Sequence, residues 1–294
     1  MNNLPLKLIK TSKLSAGLYA FWIYTLVVIL WGAWVRISHS GHGCGDHWPL
    51  CNGDLIPALG DKKTLVEFSH RIMSGLYGII VIGICFYFFK LKKTVDNKNI
   101  KILSWFLLGF MILEALLGAL LVKKNLVTVN DSIFRLVAMS LHQLNSFLLT
   151  GTTYLIYKST YEKMDFKITK LNLTVLILAV SGAIASLAST LFPSTSILEG
   201  ILKDFSAESH LFIRLRVIHP TLALISVSSI IYWLYTKSDS SKSDIRLALK
   251  LFFAMLVGII TILTLSPVWL KLAHLLIAHF IWAEILEHQL FRKH

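Results

Sequence analysis

The chain has 294 residues, of which 55% are hydrophobic and 15% are charged, and its mean hydropathy is +0.67. A soluble domain carries about 25% charged residues, so this composition excludes a water-soluble globular protein. The formal net charge of +13 would suit nucleic acid, but Lys and Arg stand in short clusters between apolar runs, as is typical of membrane loops. We therefore expect a membrane protein that contacts lipid and has no nucleic-acid partner.

Eight apolar runs, each about 20 residues long, have the length needed to cross a bilayer as helices. They lie near residues 16–37, 66–90, 101–122, 132–157, 170–191, 211–236, 246–266 and 268–290. The first run is full length and no small-residue cleavage site follows it, so we expect no cleavable signal. The pattern predicts an all-α integral membrane protein with eight transmembrane helices.

The distribution of basic residues predicts the orientation of these spans. If the N-terminus is cytoplasmic, that side carries 18 of the 29 Lys and Arg residues, which satisfies the positive-inside rule. Both termini are therefore expected in the cytoplasm, and the short N-terminus without transit-peptide character favours a prokaryotic plasma membrane. The outer side holds five arginines, whose forked guanidinium groups suit carboxylates and phosphates: Arg36, Arg71, Arg135, Arg214 and Arg216.

The first outer loop, about residues 38–65, contains Cys44 and Cys51. This loop faces an oxidising compartment in the predicted topology, which favours a disulfide between the two cysteines. Two interpretations stay open: a structural staple, which we favour because local bridges are common, and a redox-active pair that relays electrons. A zinc site is disfavoured, because the nearby histidines fit no standard zinc spacing: His39, His42 and His47.

Histidines inside the spans are the strongest functional signal. His70, His142, His219 and His274 occur one per even-numbered span, each roughly 4–10 residues from the outer end, so a rise of about 1.5 Å per residue places them in one shallow layer. Polar groups are costly in lipid and are normally kept for a function. The pattern predicts two bis-histidine haem sites between facing helices. Zinc or copper is the alternative. It is disfavoured, because two imidazoles per site do not supply enough ligands for a metal ion. His279 lies about 140° around the helix from His274 and is interpreted as structural.

The two halves of the chain, 1–160 and 161–294, resemble a duplicated unit. Gly32 near the outer end of the first span has a counterpart in Gly182 of the fifth, and Ala follows both. We therefore expect two pseudosymmetric four-helix bundles, each with one histidine pair.

The halves differ in the residue that precedes the first histidine by one helical turn. Glu67 stands three residues before His70, whereas Arg216 stands three residues before His219, and residues three apart share a helix face. The first site thus has an acid suited to proton transfer, and the second has a base suited to a haem propionate.

Seven short motifs, spread over nearly the whole chain, resemble those of the haem A synthase family. They are Gly-Ala-x-x-Arg at 32–36, Cys-Gly-Asp-His-Trp-Pro-Leu-Cys-Asn-Gly at 44–53, Glu-x-x-His-Arg at 67–71, Thr-Leu-Phe-Pro at 190–193, Asp-Phe-Ser at 204–206, Arg-Leu-Arg-Val-Ile-His-Pro at 214–220 and Pro-x-Trp-x-x-x-x-His at 267–274. The resemblance implies an enzyme that oxidises the C8 methyl group of haem O to the formyl group of haem A. It also implies a haem b cofactor, and a haem O synthase and cytochrome oxidase assembly factors as partners.

Matching the motifs to the family implies that His70 and His142 flank the substrate haem, that His219 and His274 bind haem b, and that Cys44 with Cys51 is the first-loop pair. The position of Glu67 one turn from His70 leads to the hypothesis that Glu67 is the base for methyl oxidation; the alternative is that it only orients His70 or pairs with Arg71. The candidates for pairing with haem propionates are Arg71 at the substrate haem and, at haem b, Arg214 and Arg216, of which Arg216 is the best placed. Some members have a second cysteine pair, but residues 191–213 contain none, so a relay through two pairs is in question.

Other functions use the same histidines. A di-haem b-type electron-transfer subunit would need no acid beside one ligand, and a haem transporter or chaperone would need one exchangeable site. Glu114, in the third span, departs from the family pattern and is a helix–helix hydrogen-bond partner or a protonated structural acid, of which we favour the former. The electron acceptor, the oxygen source and homo-oligomer formation stay open.

Overall fold

The computed structural model describes residues 4–58, 60–90, 97–165, 167, 169–238 and 240–291, and for residues 4–12 and 97 it describes the backbone alone. Within these residues the chain forms ten helical segments and no strand. They are α1 (Leu4–Ile37), α2 (Lys62–Lys90), α3 (Asn97–Lys123), α4 (Ile133–Ser159), α5 (Lys170–Leu191), α6 (Ile197–Phe205), α7 (Leu211–Arg216), α8 (Ile218–Thr236), α9 (Lys242–Leu263) and α10 (Val268–Leu290). The predicted all-α fold is confirmed.

Seven stretches of the described helices are long and apolar enough to cross a membrane. They are Lys13–Ile37, Lys62–Lys90, Lys98–Lys123, Lys170–Leu191, Leu211–Thr236, Lys242–Leu263 and Val268–Leu290. Each corresponds to one predicted span, and no boundary differs from the prediction by more than four residues. The protein is therefore a multi-pass integral membrane protein.

The fourth predicted span behaves differently. Helix α4 has 27 residues but falls outside the set of apolar helices, so an eighth span is not confirmed. Its polar side chains are buried, among them Asn145, Ser146 and Thr150, because α4 contacts four other long helices, α1, α3, α5 and α10. The polar groups of α4 thus face protein, which explains how a polar helix can occupy the centre of an apolar assembly.

The sixth predicted span is interrupted near its start. Helix α7 ends at Arg216 and α8 begins at Ile218. Pro220 has no N–H to donate to the carbonyl of Arg216, and its ring clashes with a helical carbonyl four residues earlier. The interruption therefore lies directly before His219, at the point where the span carries its predicted ligand.

Helix α6 was not predicted from the sequence. Ser196 caps it by accepting a hydrogen bond from the backbone N–H of Glu199 at 3.2 Å. Leu198, Leu202 and Phe205 are exposed, so one face of this short helix is apolar and uncovered by protein. A helix of this kind is suited to lie in the membrane interface.

The long helices pack in two sets. In the first, α1 and α3 each contact α2 and α4; in the second, α8 and α10 each contact α5 and α9. Contacts of α10 with α4 and α1, and of α4 with α5, join the sets. Gly151 of α4 permits a close approach of α10, because a Cβ there would stand 2.6 Å from the indole nitrogen of Trp282.

The loop between α1 and α2 is closed by a disulfide between Cys44 and Cys51, as the sequence favoured. Gly43 lies against the first turn of α2, and a Cβ there would stand 2.4 Å from its backbone. Thr64 of that turn donates its hydroxyl to the carbonyl of Gly43 at 2.7 Å. The loop is therefore seated on the start of α2, and we call this end of the assembly the disulfide end.

Candidate functional site

Two of the predicted ligands, His219 on α8 and His274 on α10, face each other. Their ring centres are 6.3 Å apart and their planes are inclined by 75°. Two imidazoles that ligate one metal ion from opposite sides have ring centres about 6 Å apart, since each metal–nitrogen bond is about 2 Å long. The separation therefore fits one metal ion between the two rings.

Each of these rings lies against a glycine of a neighbouring helix. A Cβ on Gly182 of α5 would stand 3.1 Å from Cε1 of His219, and a Cβ on Gly258 of α9 would stand 3.2 Å from Cε1 of His274. Both distances are shorter than ordinary van der Waals contact, so a larger residue at either position would push against the ring. The absence of a side chain at these two glycines leaves room for the imidazole rings.

The orientation of His219 is held by a hydroxyl group. Ser181 Oγ lies 3.0 Å from Nδ1 of His219 and donates its single proton to the carbonyl of Leu178 at 2.9 Å. With its proton on that carbonyl, Ser181 accepts from an Nδ1–H of His219, and this assignment of the tautomer leaves the lone pair on Nε2. This is the tautomer that a metal-ligating histidine needs.

The other two predicted ligands also lie close together. A Cβ on Gly32 of α1 would stand 2.9 Å from Cε1 of His70 on α2, and His142 of α4 is within electrostatic range of His70. Gly32 and Gly182, which correspond in the two halves of the sequence, thus each contact the predicted ligand histidine of an adjacent helix.

Glu114 of α3 stands beside His142. Its carboxylate accepts hydrogen bonds from Nδ2 of Asn145 at 2.5 Å and from Oγ of Ser146 at 2.7 Å, both on α4. The helix–helix hydrogen bond favoured for this residue is confirmed. Oε1 of Glu114 also lies 3.5 Å from Nδ1 of His142. Among the described residues, no other of the four histidines has a carboxylate this close.

Glu67 fastens the disulfide loop to α2. Its side chain is buried, with the residue 3% exposed, and its carboxylate accepts hydrogen bonds from the backbone N–H of Cys44 at 2.9 Å and from Arg71 at 2.5 Å. Arg71 also donates to the carbonyls of His47 and Leu50. The Glu67–Arg71 pair, which was the alternative to a catalytic role, is present, and it lies one turn from His70.

The two remaining predicted arginines differ in their surroundings. Arg216 donates to Asp204 at 2.6 Å and to the carbonyl of Gly200 at 3.2 Å, which ties α7 to α6. Arg214 is exposed. His279, interpreted as structural, is buried, stacks on Phe147 and bonds Thr150 at 2.9 Å.

Several residues at the site were not predicted from the sequence. Ser181 and Gly258 left no recognisable signal, because their contacts depend on how two helices pack. Lys271 did leave one, since it stands three residues before His274 as Arg216 does before His219.

The residues present fit haem. Among the described residues, no group of three or more His, Cys, Asp or Glu side chains is placed to hold a bare metal ion. The histidines come in pairs instead, and a pair is what a six-coordinate haem iron takes from the protein, because the porphyrin supplies the other four ligands.

Fold and site together define a helical multi-pass membrane protein with intramembrane histidine pairs of the kind that ligate haem. The model of the cytochrome oxidase assembly protein family (COX15-CtaA) matches residues 16–63 and 58–286. The chain belongs to this family, and the resemblance to haem A synthases is confirmed.

Individual relatives carry two different names. A heme A synthase of Exiguobacterium sibiricum is 38% identical over 101 residues, 34% of this chain and 33% of the relative, and one of Bacillus mycoides is 44% identical over 95 residues, 32% and 30%. A protoheme IX farnesyltransferase of Thermus thermophilus is 31% identical over 287 residues, which are 92% of this chain. The chain spans about half of that relative, 47% of its length.

Proposed function

We propose that this protein is a haem A synthase, an oxidoreductase that converts the C8 methyl group of haem O to the formyl group of haem A. The observation that carries the proposal is the pairing of His219 with His274, each against a glycine of a neighbouring helix, together with the matching contact of His70 with Gly32. The family match and the names of the relatives in Exiguobacterium sibiricum and Bacillus mycoides support it.

The proposed enzyme divides its work between two bundles, residues 1–160 and 161–294. His70 and His142 hold the substrate haem in the first bundle, and His219 and His274 hold haem b in the second. The two sets of helix contacts support this division. When bound, haem b supplies a route by which electrons leave the substrate site toward an acceptor. Among the described residues, only one of the two histidine pairs has a carboxylate beside it, because Glu114 lies next to His142. This supports placing the methyl oxidation in the first bundle.

Glu67 is the proposed base. The methyl group is oxidised twice, through an alcohol and a geminal diol that loses water to give the aldehyde. Written with water as the oxygen source, each oxidation replaces a C–H bond by a C–OH bond, passes two electrons to an acceptor and releases two protons. A general base contributes typically 10²–10⁴-fold to such a step. The hydrogen bonds from Arg71 and from the N–H of Cys44 hold the carboxylate of Glu67 in place, one helical turn from His70.

The name of the Thermus thermophilus relative supports a haem O synthase as partner. That name describes transfer of a farnesyl group to protohaem IX, and haem O is a farnesylated protohaem. This chain would take haem O from such a transferase and pass haem A to cytochrome oxidase assembly factors.

The proposed location is the plasma membrane, with both termini in the cytoplasm and the disulfide end outside. The Cys44–Cys51 bridge supports this orientation, because disulfides persist on the oxidising side of a membrane. The placement of 18 of the 29 basic residues on the other side supports it as well.

Pigment extraction tests the proposal. The full chain is expressed with and without a haem O synthase in a host without haem A, and the haems are extracted from the purified protein and separated. We expect haem A or its hydroxylated precursor only when the transferase is present. A protein that retains haem b alone under both conditions would be a di-haem electron-transfer subunit, and one that exchanges unmodified haem O would be a carrier.

A further inference from the structure

Four cationic side chains gather at the disulfide end, where the two sets of helices meet. Arg36 is in the last turn of α1 and Lys271 in the first turn of α10. Arg36 is within electrostatic range of Arg135, and Lys271 is within electrostatic range of Arg36 and Arg216. Like charges at this density need anions nearby, since their repulsion is only weakly screened away from water.

Two of the four cations have an acidic partner within the protein. Arg216 pairs with Asp204 at 2.6 Å. Arg135 is attracted by Asp131 and donates to the carbonyls of Thr128 and Asn130 at 2.9 and 2.5 Å.

Arg36 and Lys271 have no such partner. Among the described residues, neither has a carboxylate within 4.0 Å, and each donates to a hydroxyl of α5: Arg36 to Ser186 at 2.9 Å and Lys271 to Thr190 at 3.3 Å. Nε of Arg36 is fully buried and makes no hydrogen bond. A buried guanidinium nitrogen without an acceptor is costly, so this pair is built for an anion that the protein itself does not supply.

The position of the pair relates it to the histidine layer. Arg36 follows Gly32 by four residues, Ser186 follows Gly182 by four, and Lys271 precedes His274 by three. Gly32 and Gly182 are the glycines in contact with His70 and His219. One helical turn is about 5.4 Å, so the cations lie one turn beyond the histidines, toward the disulfide end.

We propose that Arg36 and Lys271 form a carboxylate subsite that binds the propionate groups of porphyrin ligated by the histidines one turn deeper. The inference rests on the proposed function, because it requires haem to be bound. It goes beyond that function by naming the residues that bind the propionate groups of the porphyrin. Ser186 and Thr190 hold the two cations toward the subsite. Of the three arginines that the sequence suggested for the haem sites, Arg71 and Arg216 are engaged by Glu67 and Asp204, and Arg214 is exposed.

A comparison of two porphyrins tests the subsite. The full-length protein, produced under haem limitation and purified in detergent, is titrated with ferric protohaem and with its dimethyl ester, and binding is followed by the Soret band. The wild type should bind the free acid about ten- to a hundredfold more tightly than the ester, because a hydrogen bond to a charged group contributes about 1.5–3 kcal/mol.

The variants Arg36→Gln and Lys271→Gln should lower that ratio toward one while binding the ester as the wild type does. Unchanged ester affinity shows that a variant is folded. Arg36→Lys and Lys271→Arg should restore most of the ratio, and Lys124→Gln, which changes an exposed lysine directly after α3, should keep the wild-type ratio.

Three results would overturn the inference. If both variants keep the wild-type ratio of acid to ester affinity, the pair does not bind propionates, although the haem sites and the proposed function stand. If the variants instead lose a co-purifying acidic phospholipid and keep the ratio, the anion is a lipid phosphate. If the wild type binds neither porphyrin, the proposed function falls together with the subsite.

Discussion

Glycine is required where the backbone of one helix lies against a histidine ring of another. The contacts of Gly32 with His70 and of Gly182 with His219 leave less room than a methyl group occupies. Glycine at these positions therefore lets the histidine ring take its place, although a glycine inside a helix costs about 0.5–1 kcal/mol of stability relative to alanine.

We expect Gly182→Ala to lower bound haem b several-fold, because the new methyl group would displace His219 from its partner His274. Gly32→Ala should likewise lower the haem of the first site. Gly17→Ala is the matched control, since nothing lies within 4 Å of a Cβ at that position of α1. Haem content per protein, measured after purification, checks all three, and equal loss in the control would contradict the assignment.

Glu67→Gln tests the proposed base at its own position. The amide still accepts a hydrogen bond from Cys44 N–H, but it cannot take a proton, so we expect haem A formation to fall about 10²-fold or more while haem content is retained. The measurement is the rate of haem A formation in membranes supplied with haem O. A near wild-type rate would leave Glu67 only the role of pairing with Arg71.

The packing of α3 on α4 depends on one carboxylate. Glu114 is an acceptor for Asn145 and Ser146. Without it, Ser146 still has the carbonyl of His142 at 2.9 Å and one N–H of Asn145 still has the carbonyl of Phe110 at 2.8 Å, so the second N–H of Asn145 is left unpaired.

Glu114→Ala should therefore destabilise the protein by about 1–3 kcal/mol, and Glu114→Gln, which retains one acceptor oxygen, by less. Thermal unfolding in detergent measures the difference. The alanine variant should also bind the first haem more weakly, since His142 loses its neighbouring carboxylate. Equal stability of both variants and the wild type would show that α3 and α4 are held by other contacts.

Helix α6 should lie in the membrane interface. Its exposed Leu202 and the loop residue Glu208 provide a matched pair for cysteine labelling. We expect an environment-sensitive dye on Leu202→Cys to report an apolar surrounding in lipid vesicles and the same dye on Glu208→Cys to report water. Identical spectra from both sites would place α6 in solvent.

The helices were largely predictable, and the reasons are local. Hydropathy and basic clusters located seven spans to within four residues, because lipid imposes the same requirement on every spanning helix. The fourth predicted segment also forms a helix, α4, but its polar residues, which four neighbouring helices shelter, keep it outside the apolar set, so this span stays a prediction. The break between α7 and α8 follows from Pro220 and was readable in the sequence, whereas α6 is too short for a hydropathy window.

The site was predictable only in part. His70, His142, His219 and His274 stood out because a charged or polar residue in a span needs a reason. The contacts that give them their surroundings, such as Glu114 with His142 or Arg36 beside Lys271, depend on the relative height and rotation of helices that are distant in sequence. A single sequence contains no local signal for these relations.

At the scale of the whole molecule, the disulfide loop and α2 form one unit through Gly43, Glu67 and Arg71. A bridge across a separation of seven residues contributes about 2 kcal/mol in the chain-entropy model. The double variant Cys44→Ser/Cys51→Ser should lose about that much stability, measured by thermal unfolding, and should retain bound haem b. If the bridge is a staple alone, haem A formation should survive at low temperature; its complete loss in a folded, haem-loaded variant would favour an electron relay.

The interface of α4 with α10 is fixed along its length: Gly151 receives Trp282, whose indole N–H donates to the carbonyl of Phe147 at 2.8 Å, and farther along Glu287 bonds Lys158 at 2.9 Å. These two helices carry one proposed ligand each, His142 and His274, so the contacts of α4 with α10 set the distance between the two proposed haem sites. In the proposed enzyme an electron that passes from one haem to the other would cross this interface, and a substitution that widens it would slow the transfer.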